Sequence, residues 1–448
     1  MTATKLVVLD DDPTGSQTVH SCLLLTRWDV NTLREALLDE SPLFFILTNT
    51  RSLDAKRAAD LTREVCHNLK RALDERARAD LVIEPIVISR SDSTLRGHYP
   101  VEIDVITEEL GPFDAHFLIP AFIEGGRITR DGVHYLIIDG TPVPVNETEF
   151  ARDSVFGYIH AFLPDYIAEK TRGRICAAEV ERFSLADVRS GCLERLLALS
   201  GNIACVVDAE SYTDLSAFAA DLNAATKRGK RFLYRSAAGI VSALAALPPQ
   251  PVAAKDMGRY NRGARPGAVV VGSHVSRTTR QVRHLLAEPD VTPIDLDVAR
   301  LPDQGSRLLN NVLLRIRAAH AHQRTPIILT SRTERTFASA QARLAFGEII
   351  SAFLMEVVKR LPADLGFLII KGGITSNDVL SHGLALRSAR VLGQILPGCS
   401  VVRCPENHPL YPNLPVVIFP GNVGDDSSLT TAFRRLAGPA WEDKPILY

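Results

Sequence analysis

The sequence predicts an α/β protein of two domains, each built on a largely parallel sheet flanked by helices. Three observations support this. The chain has 448 residues, 46% of them hydrophobic, which is enough for two cores. Short aliphatic runs alternate with longer segments in which apolar residues recur every three or four positions. The alternation stops in a stretch rich in Pro, Gly and basic residues around 251–267, and then resumes.

The first series of elements begins near the N-terminus. Strands are predicted at 6–9, 44–47, 86–88, 117–119 and 203–207, with amphipathic helices such as 53–78 and 213–229 between them. A second series starts with AVVVGS at Ala268 and continues through TPIILTS, LGFLIIKGGITS and LPVVIFPGNVG. We therefore expect one domain at 1–250, a linker at 251–267 and a second domain at 268–448.

Charge and cysteine content narrow the range of partners and locations. The formal net charge is -1, so no overall field attracts nucleic acid or an anionic membrane. Seven cysteines are scattered without C-x-x-C or zinc-ligand spacing, which is typical of a reducing compartment. No window reaches the roughly 18 apolar residues of a membrane span. These features predict a cytoplasmic protein with no nucleic-acid or membrane partner.

Polar and charged side chains follow each of the first three predicted strands. The three loops read DDDPTGSQ, TNTRS and SRSDSTLRGH. Ligands bind at the carboxyl ends of strands in open α/β sheets, so we expect these loops to converge. Adjacent aspartates need cations nearby, because like charges raise one another's pKa. The loops supply both signs of charge: Asp10, Asp11, Asp12 and Asp92 together with Arg51, Arg90 and Arg96.

This combination of side chains suits a polyhydroxy acid. Arginine grips a carboxylate through two parallel hydrogen bonds, and aspartates accept hydrogen bonds from sugar hydroxyls. The alternative is structural: Asp12 with Thr14, or Ser93 with Thr94, would only cap a helix. Charged loops after three successive strands favour the binding site.

The loops of the second half are rich in glycine instead. GSHVS contains Gly272, Ser273 and Ser276, while KGGITS and PGNVG place glycines after two further strands. Glycine lets backbone N–H groups approach phosphate oxygens, so three such loops predict a nucleotide site. Taken singly, each is typical of a tight turn with a helix cap. Neither G-x-x-x-x-G-K-[ST] nor a strand-linked G-x-G-x-x-G is present.

The segment 120–153 interrupts the α/β pattern. It is rich in Gly, Pro and charge and contains one short apolar run, YLII. Long structured excursions often cover or line a site, and the alternative is a surface β-hairpin.

Motifs along most of the chain resemble those of the four-carbon acid sugar kinase family. They occur in the family's order: DDPTGSQTV, SRSDSTLRG, PAFIEGGRIT, VVDAES, GSHVSRTTRQ, KGGITSNDV and PGNVGDD. The resemblance implies an N-terminal acid-sugar-binding domain, a C-terminal nucleotide-binding domain and an active site in the cleft between them. It also implies ATP-dependent phosphorylation of a tetronate or 3-oxotetronate at its 4-hydroxyl.

The resemblance also assigns site residues. On the substrate side it points to Asp11, Asp12, Thr14, Gly15, Arg90, Asp92, Ser93 and Arg96, to which the loop argument adds Arg51. On the ATP side it points to Ser273, Ser276, Gly372, Gly373, Ile374, Thr375, Gly421, Asn422 and Gly424. Many members have Lys, Asn and an acidic residue where this chain has Arg90, His98 and Ile374.

Catalysis of phosphoryl transfer needs few special groups. Asp12 and Asp92 are the candidate bases for the acceptor hydroxyl, and Arg96 with Arg90 would fix the substrate carboxylate. Mg²⁺ is expected with ATP, and its protein ligands are left open. The base, the acid and its stereochemistry, the oxidation state of C3 and homo-oligomerisation are open too.

Two alternatives use the same ligands. An ATP-dependent ligase would activate a small hydroxy acid and pass it to a second nucleophile. A non-catalytic sensor would bind sugar acid and nucleotide without turnover. Release of ADP that depends on a sugar acid alone separates the kinase from both.

Overall fold

The structure is a computed structural model that describes residues 2–78, 82–273, 275–331, 339–421 and 423–438, without the side chains of 2, 3 and 340–344. The chain divides into two compact units, Met1–Pro249 and Gln250–Tyr448.

The first unit is built on a parallel sheet with the strand order β2-β3-β1-β4-β11-β5-β10-β9. Its strands are β1 (Thr2–Asp10), β2 (Leu23–Leu25), β3 (Leu43–Leu47), β4 (Val82–Arg90), β5 (Ala115–Ile119), β9 (Glu181–Phe183), β10 (Ile203–Val207) and β11 (Phe232–Ser236). Its helices are α1 (Val30–Leu38), α2 (Ala55–Ala77), α3 (Val101–Leu110), α4 (Leu163–Lys170), α5 (Leu185–Ser190), α6 (Leu193–Ala198), α7 (Tyr212–Lys227) and α8 (Ala238–Ala245).

Continuous burial explains the apolar runs of these strands. Every residue of β3 and β5 is buried, as expected when helices cover both faces of a parallel sheet. The helices present one apolar face to this core; in α2 that face includes Val65, Cys66 and Leu69. The long helix starts where the Asp54 side chain accepts a hydrogen bond from the backbone N–H of Arg57.

Part of the segment 120–153 forms a small antiparallel sheet of its own. Its strands, in order, are β6 (Arg127–Arg130), β7 (Val133–Ile138) and β8 (Thr141–Pro144). The predicted excursion is therefore a β-meander, and its first strand lies next to the loop after β10 through a bridge between Thr129 and Ala209.

The second unit has a mixed sheet with the strand order β13-β14-β12-β15-β18-β17-β16. The strands are β12 (Ala268–Val271), β13 (Val291–Leu296), β14 (Thr325–Thr330), β15 (Leu368–Lys371), β16 (Ser388–Leu396), β17 (Cys399–Arg403) and β18 (Pro415–Phe419). The helices are α9 (Ser276–Leu285), α10 (Leu301–Ala321), α11 (Ala340–Val358), α12 (Gly373–Asp378) and α13 (Ser428–Ala437). β17 runs antiparallel to its neighbours, and the remaining pairs are parallel. The predicted class, α/β with two largely parallel sheets flanked by helices, is confirmed.

The segment predicted as a linker, 251–267, is ordered and packs into the second unit. It forms short 3-10 helices at Ala254–Tyr260 and Arg262–Ala264. Met257 is fully buried in the core of this unit, and Asn261 Nδ2 donates to the carbonyl of Leu436 at 2.9 Å. Its Pro- and Gly-rich composition reflects tight turns rather than a free connection between domains.

All seven cysteines are free thiols, and six of them are buried. Among the described residues, every helix is too short or too polar to cross a membrane.

Candidate active site

The first three predicted strands, which are β1, β3 and β4 of the structure, end side by side in the first sheet. Asp10 at the end of β1 is level with Leu47 of β3 and with Arg90 of β4. The three predicted loops therefore start side by side at the carboxyl edge of this sheet. The loop that follows β4 also joins β11, since Ser91 N donates to the Ser236 carbonyl at 2.8 Å.

Arg51 bridges two of the aspartates. Its Nη2 lies 2.5 Å from Oδ1 of Asp11, and its Nη1 lies 3.4 Å from Oδ2 of Asp12. Burial acts to raise the pKa of Asp12, but Arg51, Arg90 and hydrogen bonds from Thr14 outweigh burial and lower it. The Asp12 side chain stays 24% exposed, so one ionised carboxylate of the cluster faces solvent.

Asp10 and Arg90 form a buried pair behind this cluster. Arg90 Nη1 donates to Asp10 Oδ1 at 3.1 Å, and both side chains are almost fully covered. Burial raises the pKa of Asp10 to about 7, and Asp11 and Asp12 raise it too, against the opposing effect of Arg90. A Cβ at Gly15 would lie 2.1 Å from both Asp10 carboxylate oxygens, so only glycine allows the loop to cover this carboxylate.

Asp92 is held within its own loop. Its Oδ2 accepts hydrogen bonds from Arg96 Nε at 2.6 Å and from the Thr94 hydroxyl. Burial acts to raise the pKa of Asp92, yet Arg51 and Arg96 hold it far below its ordinary value. Among the described residues, none donates a hydrogen bond to Asp92 Oδ1, which leaves an acceptor for a ligand.

The structural alternative applies to part of this cluster. Asp12 Oδ1 accepts from the backbone N–H of Thr14 at 2.9 Å and from its hydroxyl, which fixes the turn that starts the 3-10 helix Gly15–Thr18. Ser93 and Thr94 cap no helix, because the next helix, α3, begins after Pro100. Asp12 thus makes its turn contacts through one oxygen, while its second oxygen has a 3.4 Å contact with Arg51.

A second buried network supports the site and was not predicted. Glu102 accepts hydrogen bonds from the Thr50 hydroxyl at 2.6 Å and from Arg235. Arg235 also donates to Ser89 Oγ at 2.7 Å. The network joins the ends of β3, β4 and β11 through α3. The sequence signal for this network was Glu102, an acidic residue in the first turn of the helix that directly follows a site loop.

The glycine-rich loops of the second unit pack closely against one another. A Cβ at Gly272 would lie 2.1 Å from the Thr375 hydroxyl, and one at Gly421 would lie 3.1 Å from the Ser273 hydroxyl. Thr278 Oγ1 donates to the Gly421 carbonyl at 3.0 Å. The ends of β12, β15 and β18 therefore lie close together, with only small hydroxyl side chains in the spaces that the glycines leave. Close backbone approach of this kind is typical of phosphate-binding loops.

The other predicted nucleotide residues lie around this meeting point. Ser276 is the first residue of α9, and Gly373 is the first of α12 after Gly372, whose φ is 126°. Ile374 is 71% exposed. Gly424 lies in the segment that Gln281 Nε2 holds through the carbonyls of Val423 and Asp425. Asn422 lies outside the described residues.

Lys371, which was not among the predicted site residues, ends β15 at the same place. Its side chain is fully buried, and Nζ donates to the carbonyls of Pro420 at 2.5 Å and Gly421 at 3.2 Å. Nζ also lies 4.1 Å from the centre of the Phe419 ring. Burial lowers the pKa of Lys371 to about 7, with Cys399 raising it and Arg277 lowering it further. The sequence signal for Lys371 as a site residue was its position at the end of an apolar run and directly before two glycines.

A resident metal is not indicated by the protein alone. In the described parts of the chain, no three His, Cys, Asp or Glu side chains come together as a metal-binding group. Mg²⁺ commonly binds through one or two carboxylates and substrate phosphates while keeping several waters. The partly exposed Asp12 carboxylate fits that requirement.

Comparison with known proteins matches the two halves of the chain to two domain families. Residues 6–244 match the sugar-binding N-terminal domain, and residues 268–429 match the nucleotide-binding C-terminal domain. The chain therefore consists of one domain from each of these two families. The chain belongs to the four-carbon acid sugar kinase family, as its motifs predicted.

Relatives with assigned names are kinases of four-carbon sugar acids. The chain is 29% identical over 286 residues to a D-erythronate kinase of Heliobacterium modesticaldum, a match covering 62% of this chain and 59% of the relative. It is 28% identical over 165 residues to a D-threonate kinase of Bordetella bronchiseptica, covering 35% and 37%. These matches thus span less than two thirds of either relative.

A solved structure supports the fold over almost the whole chain. The Haemophilus influenzae protein HI1011 matches with a TM-score of 0.66 at 17% identity, covering 96% of this chain and 100% of that one.

Proposed function

We propose that this protein is an ATP-dependent kinase that phosphorylates the 4-hydroxyl of a four-carbon sugar acid, either D-erythronate, D-threonate or a 3-oxotetronate. One observation carries the proposal: guanidinium groups and ionised carboxylates meet at the carboxyl edge of the sheet in the half that matches the sugar-binding family. This donor and acceptor set suits a ligand with one carboxylate and several hydroxyls.

Asp12 and Asp92 are the proposed acceptors of substrate hydroxyl protons. The pKa of each is held below its ordinary value, so both are ionised at neutral pH. Each also keeps a carboxylate oxygen that the protein uses little or not at all: Asp12 Oδ2 has a 3.4 Å contact with Arg51, and Asp92 Oδ1 is free of hydrogen bonds within the described residues. An ionised carboxylate in hydrogen-bond contact with the acceptor hydroxyl orients it for attack.

The remaining predicted residues of the first unit hold these two carboxylates. Arg51 pairs with both Asp11 and Asp12, and Arg96 pairs with Asp92. Thr14 and Gly15 shape the turn that carries Asp12. Arg90 acts one layer deeper, through its pair with Asp10.

ATP is proposed to bind with its phosphates at the glycine-rich loops of the second unit. Backbone N–H groups there can approach phosphate oxygens because Gly272, Gly372 and Gly421 have no side chains. Mg²⁺ bound with the nucleotide supplies neutralisation of phosphate charge. The groups proposed to border the phosphates are Ser273, Ser276, Gly372, Gly373, Ile374, Thr375, Gly421, Asn422 and Gly424.

An ADP-release assay tests the proposal. The protein with Mg²⁺ and ATP is offered D- and L-erythronate, D- and L-threonate and their 3-oxo forms, one at a time, with Asp92→Asn as the matched control. We expect one or two acids to stimulate ADP release at least tenfold over the acid-free rate. Binding of acid and nucleotide without stimulation would indicate a sensor. Stimulation only in the presence of a second nucleophile would indicate a ligase.

A further inference from the structure

The β-meander is fixed against the loop that carries Asp92 through its second strand, which in turn holds the first. His134 on β7 contacts the Ser93 carbonyl through Nε2 at 2.7 Å and Thr129 Oγ1 through Nδ1 at 3.0 Å. Burial lowers the pKa of His134 to about 4, so the ring is neutral, with Nε2 donating and Nδ1 accepting. Tyr158 adds a hydrogen bond to the Thr94 carbonyl at 2.8 Å. The position of β6 relative to the Asp92 loop is therefore defined.

Most arginines around the strand-end cluster are already paired with a carboxylate. Arg51 pairs with Asp11 and Asp12, and Arg90 with Asp10. The other two pairs are Arg96 with Asp92 and Arg235 with Glu102. Arg96 is further restrained by the Phe150 ring, whose centre lies 4.9 Å from its guanidinium carbon. None of these four arginines has its charge free for a ligand.

Arg127, at the start of β6, differs from all of them. Within the described part of the chain no carboxylate pairs with it: Nη1 donates to the Gly125 carbonyl, and the buried Nε has no hydrogen-bond partner. Burial lowers the pKa of Arg127, Asp92 opposes that effect, and Arg96 adds to it, which places its charge in the electrostatic field of the Asp92 loop.

An unpaired guanidinium in such a position is costly for the protein alone. Removing a charged group from water requires a partner of opposite charge to offset the lost hydration, and a donor without an acceptor adds to the cost. A carboxylate would accept two parallel hydrogen bonds from one guanidinium edge. The nearby carboxylates of Asp92 and Asp12 are held by Arg96 and Arg51, so among the described residues none pairs with Arg127, and an anionic ligand would supply the partner.

We propose that Arg127 is the anchor for the carboxylate group of the sugar acid. The assignment rests on the proposed function, which supplies an acid as the ligand of this site. It gives the ligand a direction: the carboxylate lies at β6, and the hydroxyls extend toward Asp92 and Asp12. It also predicts selectivity, because a neutral polyol or amide of the same length leaves the Arg127 charge unpaired.

The test crosses a protein change with a ligand change. Binding to the full-length protein is measured by calorimetry for the acid most active in the ADP-release assay and for its neutral amide. Arg127→Gln removes the charge. Arg127→Lys keeps the charge but cannot donate two parallel hydrogen bonds to a carboxylate. Arg130→Gln is the matched control. Arg130 lies on the same strand, is 49% exposed and pairs with Glu210.

We expect Arg127→Gln to weaken acid binding roughly 100-fold or more, since a charge-assisted bidentate contact is lost. Binding of the amide should change less than threefold, and Arg127→Lys should fall in between. Nucleotide affinity serves as the check for a folded protein. If acid and amide affinities fall equally, or if Arg127→Gln binds acid as the unaltered protein does, the anchor assignment is wrong. If the unaltered protein binds and phosphorylates no four-carbon acid, the proposed function is wrong instead.

Discussion

Replacing Lys371 by Met tests what its buried amine contributes to the stability of the second unit and to the proposed nucleotide binding. Methionine keeps the unbranched apolar stem and removes the ammonium group that donates to Pro420 and Gly421. The pKa of Lys371 is lowered from 10.5 to about 7 by burial. That difference corresponds to about 5 kcal/mol against the charged form in the folded protein.

The sign of the pH dependence follows from linkage. The unfolded chain holds the proton up to about pH 10.5, whereas the folded protein releases it above about pH 7, so unfolding takes up a proton between these values. Stability therefore rises with pH in this window, by about 2 kcal/mol from pH 7 to pH 9. Below pH 7 the full cost of burying the charge is present.

Urea unfolding at pH 7, 8 and 9 measures this contribution as the difference between the unaltered protein and Lys371→Met. We expect the variant to lack the rise of about 2 kcal/mol and to be at least as stable at pH 7. Nucleotide binding gives a second test, because phosphate charge at the Gly421 loop would favour the charged form of the Lys371 amine behind it. Calorimetry with ATP at pH 7.5 in buffers of different ionisation heat should therefore show more proton uptake in the unaltered protein than in Lys371→Met. Parallel pH slopes and equal proton uptake in both proteins would show that Lys371 does not titrate in this pH range.

Three further substitutions test the sugar side and one tests the nucleotide side. Asp12→Asn and Asp92→Asn should each lower kcat by roughly 100-fold or more, as expected for a lost acid-base group. Their melting temperatures should change little. Near-normal turnover in both variants would show that these loops have only a structural role. Gly15→Ala should destabilise the protein by about 1 to 3 kcal/mol in urea unfolding, because the new Cβ would lie 2.1 Å from the Asp10 oxygens; an unchanged midpoint would contradict that packing. Gly421→Val should weaken ATP binding far more than acid binding in calorimetry, since its side chain would occupy the phosphate approach next to Ser273.

The strand ends could be predicted from sequence because strands that are buried on both faces have continuous apolar sequences. Leu6 to Leu9 and Phe44 to Leu47 are such runs, and whatever follows them must lie at the sheet edge. The positions of Asp11, Arg51 and Asp92 follow from this rule.

Pairing among the charges could not be predicted in the same way. The order of residues in the chain does not show that Arg90 turns inward to Asp10 while Arg51 spans two aspartates, because this depends on side-chain packing across strands. Arg127 was missed for a related reason: a free guanidinium is recognised only when all neighbouring carboxylates are seen to be occupied.

Local composition indicated a domain boundary at 251–267 but not the packing of that segment. Its prolines and glycines accommodate 3-10 turns, and Met257 between them fills the second core. A buried methionine within a polar stretch was the contrary signal.

Identification of the reaction product shows whether the protein transfers phosphate to the 4-hydroxyl of a sugar acid. The unaltered protein is incubated with Mg²⁺, ATP and the preferred four-carbon acid, and the mixture is followed by phosphorus NMR. The account predicts one sugar-acid 4-phosphate for each ADP formed. Formation of ADP with inorganic phosphate alone, or a phosphate on the carboxyl group, would contradict it.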